Sequence, residues 1–302
     1  MEKLLDEIES YWSTRTEGYS EVNHKELAGT QKNAWLKVLT SQFPDKPKEE
    51  IRILDIGTGP GFFPVILAEA GYHVDAVDYT EGMLEKAKEN AGELCRNIHF
   101  QRMDAQKLEF EDNTFDVVIS RNLTWNLEHP DVAYREWVRV LKVGGKLLNF
   151  DANWYGYLYE EEQRKAYEND RKNVESNSLD DHYLCTDIER MERIALQVPL
   201  SKIRRPQWDV KTLREAGLLG IHTDTEIWKT VWSEEERLNY QSTPMFMVTG
   251  VKPDHFLNLP VVEGEKTEGF LEIGDGEFTL PATIIRGKNP GKTVLVTAGL
   301  HA

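Results

Sequence analysis

The stretch LDIGTGPGFF, residues 54–63, sets Asp55 two positions ahead of three alternating glycines, Gly57, Gly59 and Gly61, with Thr58 between the first two. An apolar run precedes this stretch and a helical pattern follows it. The glycines therefore predict a strand-to-helix turn whose backbone a ligand can approach closely. The dinucleotide fingerprint is G-x-G-x-x-G, whereas the spacing here is G-x-G-x-G with Pro60 before the last glycine. A carboxylate beside a pyrophosphate costs roughly 1–4 kcal/mol at about 4 Å, depending on screening. The same carboxylate favours a cation. S-adenosylmethionine carries a sulfonium and an ammonium group and no phosphate, and its carboxylate can use N–H groups at a helix start.

Further candidates follow at regular intervals. Asp78 closes the second predicted strand, where a carboxylate can accept both hydroxyls of a ribose. NAD shares that ribose, so Asp78 does not discriminate. Asp104 closes the third strand and can accept from an adenine amino group, with Ala105 supplying a backbone N–H. Arg121 and Asn122 close the fourth. If such a sulfonium ligand gives up its methyl group, the reaction needs alignment and exclusion of water more than a conspicuous catalytic group. Candidate bases are Tyr19, His129, His182 and Tyr183. Asp180, Asp181, His182 and Cys185 mix hard and soft ligands without a recognised spacing, so no metal site is assigned. Trp154, Tyr155, Tyr157 and Tyr159 suit either an acceptor pocket or a small core of their own. Arg204 and Arg205 suit a carboxylate on the acceptor or, more simply, a solvated helix entry.

The elements that must position these groups alternate in type. Helical spacing covers 2–12 and 24–42, with TRTEGYSEVN between them reading as a loop. Strands are predicted at 52–56, 73–78, 97–104, 115–122 and 146–154. Helices are predicted at 61–71, 80–92 and 130–145. This rhythm implies a parallel sheet with helices on both faces and a ligand crevice at the carboxyl ends of its strands. A charged, tyrosine-rich helical segment interrupts it over 155–207. A helix at 209–218 and strands at 222–231 and 244–253 close the sheet domain. The division expected is a helical cap (1–45), a sheet domain (46–154 and 208–253), a lid insert (155–207) and a β-rich tail (254–302).

Taken in order, LDIGTGPGFF, VDAVDYTEGMLEKAKE, FQRMDAQKLEF and FDVVISRNLTWNLEHPDVAYREWVRVLKVGGKLL resemble the class I S-adenosylmethionine-dependent methyltransferases. The likeness is to the small-molecule group typified by quinone-biosynthesis enzymes, and it runs from about residue 10 to about residue 252. It implies an α/β fold with a doubly wound, mostly parallel seven-stranded sheet (Rossmann-like) whose last strand is antiparallel. It further implies that Asp55, Gly57 and Gly59 line the methionine end and that Asp78 takes the ribose. Tyr79, Met83, Asp104 and Ala105 would surround the adenine, Arg121 and Asn122 would face the sulfonium, and Tyr19 would close over the cofactor. The alternatives are a protein that binds S-adenosylmethionine without turnover, and an NAD-linked oxidoreductase. The fourth strand lacks the Asn-Pro-Pro-aromatic motif of amide- and adenine-methylating relatives.

Bulk properties narrow the partners. With 36 Lys and Arg against 52 Asp and Glu, the formal charge is −16, which disfavours nucleic acid and anionic membrane. Two cysteines suit a reducing compartment, and no apolar run nears the roughly 20 residues of a membrane span. A cytoplasmic protein with a small-molecule acceptor is expected. Residues 268–302 resemble the opening of the succinylglutamate desuccinylase/aspartoacylase family of zinc deacylases, through two β-rich runs around Gly-Asp-Gly and through Gly299-Leu300-His301. That resemblance implies either a piece of a longer bifunctional enzyme or a remnant, the 302 residues lacking deacylase activity in both cases, with strands free to pair with another edge and so to form a homodimer.

Overall fold

The computed structural model describes residues 4–183, 186–256, 258–273 and 278–287. Cys185 and Gly299-Leu300-His301 lie outside them. Two helices, α1 (Leu4–Ala28) and α2 (Gln31–Thr40), precede β1 (Arg52–Ile56), α3 (Phe62–Glu69), β2 (His73–Asp78), α4 (Glu81–Ala91), β3 (Ile98–Arg102), β4 (Phe115–Arg121), α5 (Pro130–Val140) and β5 (Leu141–Asp151). Then come α6 (Glu161–Ser176), α7 (Ile188–Ala195), α8 (Gln207–Glu215), β6 (Leu219–Asp224), α9 (Trp228–Val231), α10 (Glu234–Asn239) and β7 (Phe246–Val251). The seven strands form one sheet in the order β3-β2-β1-β4-β5-β7-β6. β1 to β5 run parallel, and β7 is antiparallel to both β5 and β6. The mostly parallel seven-stranded sheet expected from the sequence is the one observed.

Alternation along the strands builds two cores. Leu54 and Ile56 of β1 join Val118 and Leu147 beneath Tyr134 and Trp137 of α5. Ile53 joins Val117, Ile119 and Leu148 against Trp35 of α2 and Phe62 and Ile66 of α3. Both faces of a parallel sheet are thus covered, which explains its nearly continuous apolar strands. Strand order reverses between β1 and β4, and this places a crevice at their carboxyl ends.

Four sequence expectations require correction. The loop expected at 14–23 is the middle of α1. Its buried residues Thr16, Ser20, Asn23 and Glu26 recur at helical spacing but are polar, so hydropathy carried no signal. Thr14 and Thr16 hydroxyls turn back on the helix carbonyls of Tyr11 and Ser13, which spares them from competing with it. The helix expected over 130–145 stops at Val140, because the N–H groups of Asn113 and Thr114 take the carbonyls of Arg139 and Val140. The strand expected at 222–231 ends at Asp224. The Asp224 carboxylate accepts from Glu226 N, and Trp228–Val231 then forms a helical turn whose Val231 is buried in the core of α2. Finally, Arg205 is fully buried rather than solvated, as detailed below.

The C-terminal strands pair among themselves. β8 (Asp254–Phe256) with β9 (Leu259–Val261), and β10 (Lys266–Ile273) with β11 (Phe278–Ile285), make two antiparallel pairs. Leu259, Val261, Leu271, Ala282 and Ile284 form their shared small core. Among the described residues no helix is long and apolar enough to cross a membrane.

Candidate functional site

Every turn at the carboxyl ends of β1 to β4 opens onto one cavity. At the first turn the N–H groups of Gly57 and Thr58 both donate to Val77 O, at 2.8 and 3.0 Å, so the loop folds back over β2. Gly57 adopts φ +71°, and a Cβ there would lie 2.7 Å from Leu123 Cδ2. Both backbone and space demand glycine. Gly59 adopts φ +53°, and the Tyr19 ring of α1 covers its open side at van der Waals distance. Asp78 completes the turn: Oδ2 accepts from Gly59 N and Oδ1 from Thr80 N, each at 2.8 Å. Both carboxylate oxygens keep lone pairs for a ligand. Burial raises the pKa of Asp78, and the two backbone donors pull against it.

The third turn is organised by Asp104, whose Oδ1 accepts from Gln106 N at 2.8 Å. Asp104 lines the cavity together with Ala105, Met83 and Tyr79. The fourth turn carries Asn122 in the left-handed region, φ +56°, a strain that is tolerated where the surroundings fix it. Phe150 O holds its N–H and Trp125 Nε1 its carbonyl, at 2.8 and 2.9 Å. Asn122 Oδ1 is buried without a hydrogen-bond partner among the described residues, which marks it as a group awaiting a donor. Of the residues expected at the site, Asp55, Thr58 and Gly61 do not line this cavity. All three are buried. Burial pushes the Asp55 carboxyl up to about 7, against the opposing pull of the Thr58 hydroxyl and Arg121.

Residues 54–149 match the protein-family model described as a methyltransferase domain. This matched segment holds all four turns just described. The chain is 39% identical over 97 residues to a demethylmenaquinone methyltransferase of Clavibacter sepedonicus, covering 32% of this chain and 39% of that one. It is 30% identical over 126 residues to a ubiquinone biosynthesis O-methyltransferase of Coxiella burnetii, covering 41% and 53%. The chain spans about half the length of the curated relatives it matches. Among solved structures, a Haemonchus contortus phosphoethanolamine N-methyltransferase in complex with S-adenosyl-L-methionine aligns with a TM-score of 0.56 at 19% identity. That alignment covers 77% of this chain and 56% of the other, and it shows the fold: the sheet is of the Rossmann-like methyltransferase type.

A second, larger cavity of about 740 Å³ adjoins the first, and Arg121 and Asn122 line both, with Trp12 and Tyr19 of α1. Arg121 donates to both Glu26 oxygens, at 2.8 and 3.0 Å, and stacks on Phe62 at 4.7 Å. Sequence reasoning placed Arg121 here but missed Glu26, whose only signal was a carboxylate in phase with Ser20 and Asn23 on a polar helix face. His182 lines the larger cavity alone. It lies 3.0 Å from Tyr240 Oη through Nδ1 and 2.9 Å from Glu235 through Nε2. Trp154 and Tyr155 line the cavity, Tyr157 is buried in the core of Tyr11, Tyr183 and Ile194, and Tyr159 is exposed. His129 is exposed beside Glu128. Among the described residues no cluster of three or more His, Cys, Asp or Glu is placed to hold a metal.

Neither Arg204 nor Arg205 is among the described residues that line the two cavities. Arg204 pairs with Glu160 at the surface. Arg205 donates to Asp151 at 2.7 Å and to both oxygens of Asp209, at 2.6 and 2.9 Å. Asp151 also accepts from Trp125 N and Trp154 Nε1, so this buried network holds two walls of the larger cavity.

Proposed function

We propose that this chain is an S-adenosylmethionine-dependent methyltransferase that carries a methyl group in line to a small-molecule acceptor. The observation that carries the reading is the joining of two unlike cavities. One is narrow, turned by glycines and edged by Asp78 and Asp104; the other is wide and aromatic; Asn122 and Tyr19 stand at their junction.

The inner cavity suits the donor. Asp78 presents free lone pairs for the ribose, Asp104 and Ala105 for the adenine, and the buried carboxyl of Asp55 favours a positive ligand. Asn122 Oδ1, lacking a partner, can take a C–H or N–H donor close to the sulfonium. Tyr19 and Trp12, packed edge to face at 5.6 Å, exclude water from above. Helix α1 and the segment 155–207 act as cap and lid, meeting through Arg190 and Ser10. S-adenosylmethionine, when bound, supplies the activated methyl group; the residues of the chain orient it and keep the site dry.

Calorimetry with S-adenosylmethionine, S-adenosylhomocysteine and NAD tests the donor assignment. Tight binding of the first two is expected. Binding of NAD alone would replace the reading by an oxidoreductase, and binding without transfer of labelled methyl to any component of a metabolite extract would leave a sensor.

A further inference from the structure

We propose that the larger cavity receives an amine, held as an ammonium ion between Glu236, Glu26 and the aromatic wall, and that this nitrogen is the atom methylated. The inference rests on the methyltransferase reading above and adds the class of acceptor.

Charge is the first argument. Among the described residues, six carboxylates line the cavity against three Lys or Arg side chains. Arg121 is matched by Glu26, Lys25 is exposed, Arg15 lines the cavity half-buried, and of the carboxylates Asp181 is matched by Arg171. Glu236 lies inside, where two neutral donors, Gln31 Nε2 at 2.6 Å and Ser233 N at 2.8 Å, reach its Oε2. Burial and the nearby Glu26 carboxylate raise its pKa, against the pull of the Ser233 N–H and Arg121, and an entering cation relieves that penalty. An acceptor carboxylate or phosphate would meet this field as a repulsion.

The lining is the second argument. Among the described residues, nine aromatic side chains wall the cavity, including Trp125, Trp154, Trp232 and Tyr240. Their faces attract cations, most strongly where water is excluded. The third argument is independent of both. Asn23, only 3% exposed, lines the cavity with its Oδ1 lacking a hydrogen-bond partner among the described residues. A buried amide oxygen without a donor costs stability until an N–H or O–H arrives.

An ammonium must lose a proton before its lone pair can attack. The imidazole tautomer that donates Nε2–H to Glu235 leaves Nδ1 to accept from the Tyr240 hydroxyl. The ammonium proton passes to Tyr240 as Tyr240 passes its own to His182, and the imidazolium formed is paired with Glu235. The nitrogen lone pair then forms the N–C bond while the C–S bond breaks, its electron pair going to sulfur as a neutral thioether. The product is a methylammonium ion, and one proton leaves His182 for solvent.

The full chain is first titrated with S-adenosylhomocysteine. If that fails to bind, the methyltransferase reading itself falls, and this inference with it. With S-adenosylhomocysteine saturating, 2-phenylethylamine, 2-phenylethanol and 3-phenylpropanoate are compared by calorimetry. The amine is expected at least tenfold tighter than the alcohol, with the acid weakest. Glu236→Gln is expected to erase at least fivefold of that preference while leaving the alcohol unchanged. Turnover of the amine with labelled donor should give an N-methyl product, and Tyr240→Phe should lower kcat at least tenfold with KM within twofold. Equal or absent binding of the three probes, a preference for the acid, or methylation on oxygen overturns the proposal while leaving the donor assignment intact.

Discussion

Arg121 and Glu26 stand 95 residues apart in the chain and meet in a two-pronged pair, 2.8 and 3.0 Å, at the wall shared by both cavities. Glu26 is 6% exposed, and the guanidinium is further enclosed by Phe62, Phe63 and Trp35. The pair fastens α1 over the end of β4 and cancels a positive charge that would oppose a sulfonium. Glu26→Ala therefore strands a cation in a nearly dry site, at an expected cost of about 3–5 kcal/mol in urea unfolding. The double change Glu26→Leu with Arg121→Met should be much milder, because no charge is left unmatched. If Glu26→Ala costs under about 1 kcal/mol, the pair is solvated and α1 is not latched by it.

Asp78 both shapes the first turn and offers acceptors to the ligand. Its removal takes a partner from Gly59 N and Thr80 N and from any hydroxyl bound there. Asp78→Ala is expected to weaken S-adenosylhomocysteine binding by about 1–3 kcal/mol, roughly 5- to 150-fold. Calorimetry showing unchanged affinity would remove Asp78 from the donor site.

Asp55 gives the site a pH signature of two opposite signs. Its carboxyl is pushed from the ordinary range near 3.8 up to about 7, chiefly by burial. Between these values the folded protein holds a proton that the unfolded chain has released. Its contribution to stability is thus complete below about pH 4 and is lost as pH rises through 7, at up to about 1.4 kcal/mol per unit. Binding of a cationic ligand runs the other way, since the ligand selects the ionised carboxylate. Affinity for S-adenosylmethionine should climb from pH 5.5 to 7.5, and Asp55→Asn should flatten both curves. An affinity independent of pH in that window would place the sulfonium and ammonium beyond the reach of Asp55.

The turn after β1, the acids closing β2 and near the close of β3, and the pair Arg121-Asn122 were legible because their chemistry is local. A glycine spacing, a strand end and a carboxylate lie within a few residues of one another. The sheet followed for the same reason, from short apolar strands alternating with helices. The middle of α1 was not legible. Its buried face carries Thr16, Ser20, Asn23 and Glu26, and a polar stripe looks like solvent exposure until the cavity it covers is known. Glu26, Glu236 and Tyr240 were missed as site residues on the same ground. Each gains meaning only from side chains far away in sequence, which no local pattern reports.

Arg205 is the sharpest instance and yields a test. Beside Arg204 it looked like half of a solvated basic pair, yet Arg204 is 76% exposed at its side chain while Arg205 is fully enclosed between Asp151 and Asp209. Tyr134 Oη donates to Asp209 and accepts from Asn149 Nδ2, so the network spans α5, α8 and β5. Arg205→Met leaves two buried carboxylates without a counter-charge, and about 3–5 kcal/mol of stability should be lost. Arg204→Ala should cost under about 1 kcal/mol, as for other exposed pairs. Because Asp151 also holds Trp125 N and Trp154 Nε1, Arg205→Met should raise the acceptor KM while S-adenosylhomocysteine affinity stays within about twofold. Loss of donor binding in equal measure would mean that the network props up the whole crevice rather than the acceptor wall.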